Sequence, residues 1–153
     1  MPILTTVSVF GALERLPADK ALMSTYVHVA GWLEVDNERL EKALAIIRAD
    51  ADDLGHYKAS WCAQSEGGGY SRHLFFGCTI RESAVDALRA QVSRIAREAF
   101  SQDGDIKDYA DGMFRAVHEN EDVPVEIWHV SGGTLRVQVL ENTPDQSPQA
   151  RRP

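Results

Sequence analysis

Apolar and polar positions change their period along this chain, and those changes divide it into elements. Between Thr25 and Val35, Val27, Val29, Leu33 and Val35 alternate with Tyr26, His28, Trp32 and Glu34, the period of two expected of a strand. Asp36 or Asn37 then stands where a helix cap belongs. Leu40, Ala43, Leu44, Ile47, Ala51 and Leu54 follow at 3.6-residue spacing, and Gly55 supplies a stop, so a first amphipathic helix is predicted. Alternation returns over Tyr57 to Ala63, with Tyr57, Ala59 and Trp61 on one side. The run Ser65-Glu66-Gly67-Gly68-Gly69 predicts a turn, and Tyr70 to Cys78 a strand hairpinned with the one before it. Within that strand Leu74-Phe75-Phe76 is continuously apolar, which implies a central position covered on both faces.

Thr79-Ile80-Arg81-Glu82 has the capping-box pattern. It precedes a second apolar stripe through Val85, Leu88, Val92, Ile95, Ala96 and Ala99. Ser101 to Asp108 reads as a loop. Strands are then predicted at Gly112 to His118, Val123 to Val130 and Thr134 to Leu140, with Ser131-Gly132-Gly133 as a hairpin turn.

The expected fold class is therefore α+β: two helices packed on a mainly antiparallel sheet, in the ferredoxin-like order β-α-β-β-α-β with an added C-terminal β-meander. Residues 25–140 form the domain, 1–24 an N-terminal extension or edge strand (residues 3–10), and 141–153 a disordered tail poor in apolar groups. That topology hosts many unrelated activities and selects none of them.

Composition narrows the function classes. With 44% hydrophobic and 25% charged residues in 153, the chain has an ordinary globular mixture and buries a core without staples. No apolar run approaches the roughly 20 residues of a membrane helix. Met1 to Phe10 lacks the basic start and apolar stretch of a secretory signal, so a cytoplasmic location is expected. Cys62 and Cys78 then read as reduced thiols. Residues 103–126 hold eight acids against Lys107 and Arg115, a net −6 out of −7 for the whole chain. Such a segment repels nucleic acid and anionic lipid and steers a basic partner, or simply confers solubility.

Candidate chemistry is sparse. His28, His56, His73, His118 and His129 show no metal-ligand spacing, and the odd separation of His73 from Cys78 points them to opposite faces of one strand. Cys78, before a helix start and near Arg81, reads first as a small core residue and second as a thiolate nucleophile. Gly67-Gly68-Gly69 lacks the lysine and the helix start of a phosphate loop. Arg81, Arg89, Arg94 and Arg97 alternate with Glu82, Asp86 and Glu98, as on a solvated helix face. No catalytic residue, metal ligand set or cofactor is assigned. Trp32, Trp61, Tyr70 and Trp128 are aromatic groups that a sheet could present to a partner, and Trp32 and Trp128 lie opposite the clearer aliphatic alternation of their strands, where they either pack in a second layer or anchor that partner.

The stretch from His73 to Ala84 resembles segments of uncharacterised single-domain bacterial proteins, as does Trp128 to Leu135. By class and size the chain is similar to the immunity proteins that bacteria pair with secreted toxins. The resemblance implies a protein-binding module that neutralises a basic toxin by occlusion. No functional residue is carried over from that resemblance; the expected contacts, taken from the acidic stretch and the aromatic strand after it, are Asp108, Asp111, Glu119, Glu121, Glu126 and Trp128. The alternatives are a small enzyme or ligand-binding domain with a cavity between helices and sheet, using His73, His118, Glu126 or Cys78, and a homodimeric structural subunit.

Overall fold

The computed structural model describes residues 25–50, 54–65, 69–98, 101–103 and 106–141, with backbone only for 101–103 and 106–108. The expected edge strand at 3–10, the tail beyond 141 and most of the Gly67-Gly68-Gly69 turn lie outside these residues. The elements are β1 (Tyr26–Asp36), α1 (Leu40–Ala49), a 3-10 helix (Gly55–Ser60), β2 (Trp61–Ala63), β3 (Ser71–Arg81), α2 (Val85–Glu98), β4 (Ser101–Asp103), β5 (Ile106–Asp108), β6 (Asp111–His118), β7 (Val125–Ser131) and β8 (Thr134–Leu140). Six strands form one sheet in the order β2-β3-β1-β6-β7-β8, every neighbouring pair antiparallel, while β4 and β5 pair separately. The architecture is α+β.

Several expectations change. Among the described residues the helical segments number three rather than two, each α-helix being continuous with a short 3-10 turn at its start (Asn37–Arg39 and Glu82–Ala84). A 3-10 helix occupies Gly55–Ser60, where alternation predicted strand, and leaves β2 only three residues. The Tyr57 hydroxyl there accepts a hydrogen bond from the Arg81 amide (3.2 Å), a tertiary contact that holds the turn closed. Helix α1 stops at Ala49, well before Gly55, because Asp50 turns extended (φ −70°, ψ 109°). Its carboxylate accepts from Gln91 Nε2 and Arg94 Nη2, both at 2.7 Å. The buried Gln91 also accepts from Trp61 Nε1 (2.9 Å), so one polar chain joins the end of α1, the middle of α2 and β2. Those hydrogen bonds hold Asp50 extended at the end of the helix and leave none of these side chains without a partner there.

The capping box does not form either. Thr79 remains in β3 and pairs through Oγ1 with His28 Nδ1 (2.7 Å). Glu82 opens the helical turn, donating its amide to the Thr25 carbonyl (2.9 Å) and accepting the Thr25 hydroxyl. Residues 101–108, expected as loop, hold the β4–β5 hairpin.

Both helices lie on one side of the sheet. There Val27, Val29, Leu33 and Val35 of β1 meet Leu74, Phe76 and Ile80 of β3, Phe114 and Ala116 of β6, Trp128 and Val130 of β7, and the stripes of α1 and α2. Gly31 sits at the centre of this face. A Cβ there would meet the Met113 carbonyl and the Phe114 ring at 2.4 Å. The missing side chain lets Phe114 lie across β1, with Trp61 and Trp128 each 6.0 Å away between ring centroids. The three rings thus run across the sheet as one apolar beam.

Candidate binding surface on the open sheet face

The opposite face carries the other residue of each alternating pair, and no described element covers it. One cross-strand row runs Cys62, Phe75, Trp32, Met113, His129 and Arg136, the next His73, Glu34 and Asp111. Phe75 is 48% exposed and Met113 43%, so the Leu74-Phe75-Phe76 run is buried through its outer members and open at its centre. Strand β3 is consequently flanked by two strands but, among the described residues, covered on one face only. His73 stacks on Phe75 (centroids 6.0 Å, 17°) and packs against Trp32 (5.8 Å), making a small aromatic platform.

At one end of this platform lies a pocket of about 240 Å³ lined by Glu34, Val35, Asp36, Tyr70, Ser71, Tyr109 and Asp111. Glu34 on β1 stands directly opposite Asp111 on β6, a cross-strand pairing of like charges that costs stability unless a cation enters. The Ser71 hydroxyl donates to Glu34 from the other side. Asp36 is occupied in part by capping, its Oδ1 accepting the Glu38 amide (2.8 Å). Tyr70 projects almost fully into solvent at the rim. Two phenol rings and three carboxylates around a cleft this size suit one alkylammonium or guanidinium group.

Of the residues the sequence offered as partner contacts, only Asp111 belongs to this pocket, together with the aromatic candidate Tyr70. Glu119 and Glu121 follow the far end of β6, roughly 25 Å from Asp111 at about 3.4 Å per residue. The Asp108 side chain lies outside the described residues. Glu126 and Trp128 face the helices instead. Trp128 is wholly buried because its register partner is Phe114, not because β7 lacks apolar residues on its other side. Its indole donates to Glu126 Oε2 (2.9 Å), Glu126 pairs with Arg89, and the Arg89 guanidinium lies 5.2 Å from the Trp128 ring centroid. Burial works against the Glu126 carboxylate, but hydrogen bonds from Trp128 and Arg89 outweigh it, aided by the Arg89 and His118 charges. Its pKa is held below the ordinary carboxylate value. This cluster is a packing device.

The cysteines are separated. Cys62 lies on the open face, while Cys78 is half-buried on the helix face with its thiol turned to the Thr79 carbonyl (3.4 Å). Among the described residues no group of three His, Cys, Asp or Glu side chains could hold a metal ion, and no helix is long and apolar enough to cross a membrane. Glu34, Asp36 and Tyr109 were not singled out by sequence reasoning, since only register brings them together; Tyr70 was, as an aromatic group able to anchor a partner. Comparisons with protein-family models, with curated proteins and with solved structures gave no significant match.

Proposed function

We propose that this chain is a protein-binding module that receives a lysine or arginine of its partner between Glu34 and Asp111. The facing carboxylates of β1 and β6 carry the reading, because they form a site whose own electrostatics favour a cation. Apolar groups of the same partner seat on the platform of Trp32, His73, Phe75 and Met113. Glu119 and Glu121, distant from the pocket, steer encounter rather than hold the complex. In its most specific form the module is an immunity protein that occludes the active site of a basic toxin. A pocket of about 240 Å³ falls below the roughly 300–1,000 Å³ of small-molecule sites, which favours a side chain over a free ligand.

We further infer a ferredoxin-like unit within the sheet and residence in the cytoplasm. The spatial order β6-β1-β3-β2 with antiparallel neighbours supports the first. The exposed free thiol of Cys62 supports the second.

The test is capture from the native cell by wild type and by the E34Q/D111N double variant, each washed at low and at high salt. A stoichiometric basic protein held by wild type at low salt and lost by the variant is expected. Equal retention of every partner by both chains would overturn the reading.

A further inference from the structure

The last strand of the sheet has a pairing partner on one side only. Among the described residues no strand lies beyond β8, whose neighbour β7 is joined to it by the two-residue turn Gly132-Gly133, both at positive φ (59° and 76°). In such a hairpin the residues flanking the turn, Ser131 and Thr134, form a hydrogen-bonded pair, and the pattern alternates from there. Thr134, Arg136, Gln138 and Leu140 therefore direct their amides and carbonyls at β7. Leu135, Val137 and Val139 direct theirs outward.

Those same three residues are the apolar ones on the helix side of β8, and two of them are poorly covered: Val137 is 42% exposed and Val139 54%. An edge this long, with outward backbone groups, apolar side chains and no proline or lysine, is what natural sheets avoid leaving bare. The other edge is short by contrast, with β2 only three residues long.

We propose that β8 pairs antiparallel with β8 of a second copy of this chain, in the register centred on Val137. The sequence Thr134-Leu135-Arg136-Val137-Gln138-Val139-Leu140 is close to palindromic about that residue in its apolar and polar pattern. The two-fold sets Val137 against Val137, Leu135 against Val139 and Arg136 against Gln138, so no like charges face one another. All three matched pairs on the helix side join residues whose backbone groups point outward, giving about six hydrogen bonds, two at each pair. Moving the register by one residue would direct ladder-facing groups at the partner, and moving it by two would reduce the matched pairs. Leu135 already packs against the core, and α2 contacts β8, so each copy's Val139 comes beside the covered Leu135 end of the other. The two-fold makes the interface isologous and closed, which ends assembly at the dimer. Edge pairing of seven residues is a small interface, and a dissociation constant of roughly micromolar order is expected.

The test is sedimentation equilibrium of the full chain from about 1 to 500 μM, beside V137P, V137K and F75D. Val137 lends no backbone hydrogen bond to β7, so V137P removes the outward donor while leaving the β7 ladder intact. V137K sets two ammonium groups against each other at the two-fold. The expected result is a monomer–dimer equilibrium weakened at least tenfold by V137P and V137K, with unchanged circular dichroism, and unaffected by F75D on the open face. Should V137P fail to fold, V137K alone decides. A chain that stays monomeric throughout would overturn the proposal. So would a dimer that both Val137 variants leave intact, or one that F75D abolishes, which would mean face-to-face packing.

Discussion

The two faces of the sheet are built from alternate residues of the same strands, and they are treated oppositely. On the helix side Val27, Val29, Leu33, Phe114 and Trp128 are sealed beneath α1 and α2, and even the charged Glu126 is matched by Arg89 and the Trp128 indole. On the other side Trp32, Phe75 and Met113 stay in contact with solvent, beside the facing carboxylates of Glu34 and Asp111. The covered face is closely packed and most of its polar groups are paired, the buried Nε of Arg89 being an exception. The open face carries apolar area and like charge together, a combination that lowers stability in isolation and is relieved by contact. The difference separates residues that hold the fold from residues available for recognition.

Substitutions that cross from one face to the other should reveal that division. The largest loss is expected for W128A, which removes the β7 end of the aromatic beam and takes the indole donor from Glu126, at about 3–5 kcal/mol in denaturant unfolding. G31A comes next at about 1–3 kcal/mol, since its methyl would have to displace a backbone carbonyl as well as the Phe114 ring. E126Q should cost about 1–3 kcal/mol near neutral pH by leaving Arg89 with the exposed Asp86 as its remaining carboxylate partner. That loss has a pH signature. The folded-state pKa of Glu126 is depressed, so its contribution is fully present above the unfolded value of about 4.3 and disappears as pH falls through the folded value. The stabilities of wild type and E126Q should therefore converge in acid, and a constant gap from pH 7 to pH 3 would remove the ion pair from the account. F75A, on the open face, should change stability by no more than about 0.5 kcal/mol. A loss near that of W128A would mean that something covers Phe75.

Much of this division is legible in the sequence where a single period dominates. The stripes of α1 and α2 and the alternation of β1 identify their buried faces directly, and Gly132-Gly133 marks the β7–β8 turn. Strand β7 is ambiguous because Val125 and Ile127 on one face compete with Trp128 and Val130 on the other. Only the pairing of Trp128 with Phe114 decides between them. The Tyr57-Ala59-Trp61 alternation misleads for a related reason: the Tyr57 hydroxyl finds the Arg81 amide, a partner 24 residues away that no local pattern records. The pocket depends on distance in the same way. Glu34 and Asp111 are 77 positions apart, and each is an ordinary strand-end acid until β1 and β6 align.

The place of β1 also has a consequence for how the chain matures. The strand is made before the others of its sheet, yet it lies between β3 and β6, and its residue Val27 pairs with His118. About 90 residues must follow Val27 before that second edge closes, on the order of 5–20 s at roughly 5–20 residues per second of synthesis. Through that interval β1 has only β3 to pair with, whereas β7 and β8 are joined by a two-residue turn, and hairpins of that kind close within about 1–10 μs. Non-local closure of this kind slows the overall reaction and leaves sticky intermediates. Strand β1, which finally has a neighbour on each side, is thus the one whose second edge waits longest for its partner.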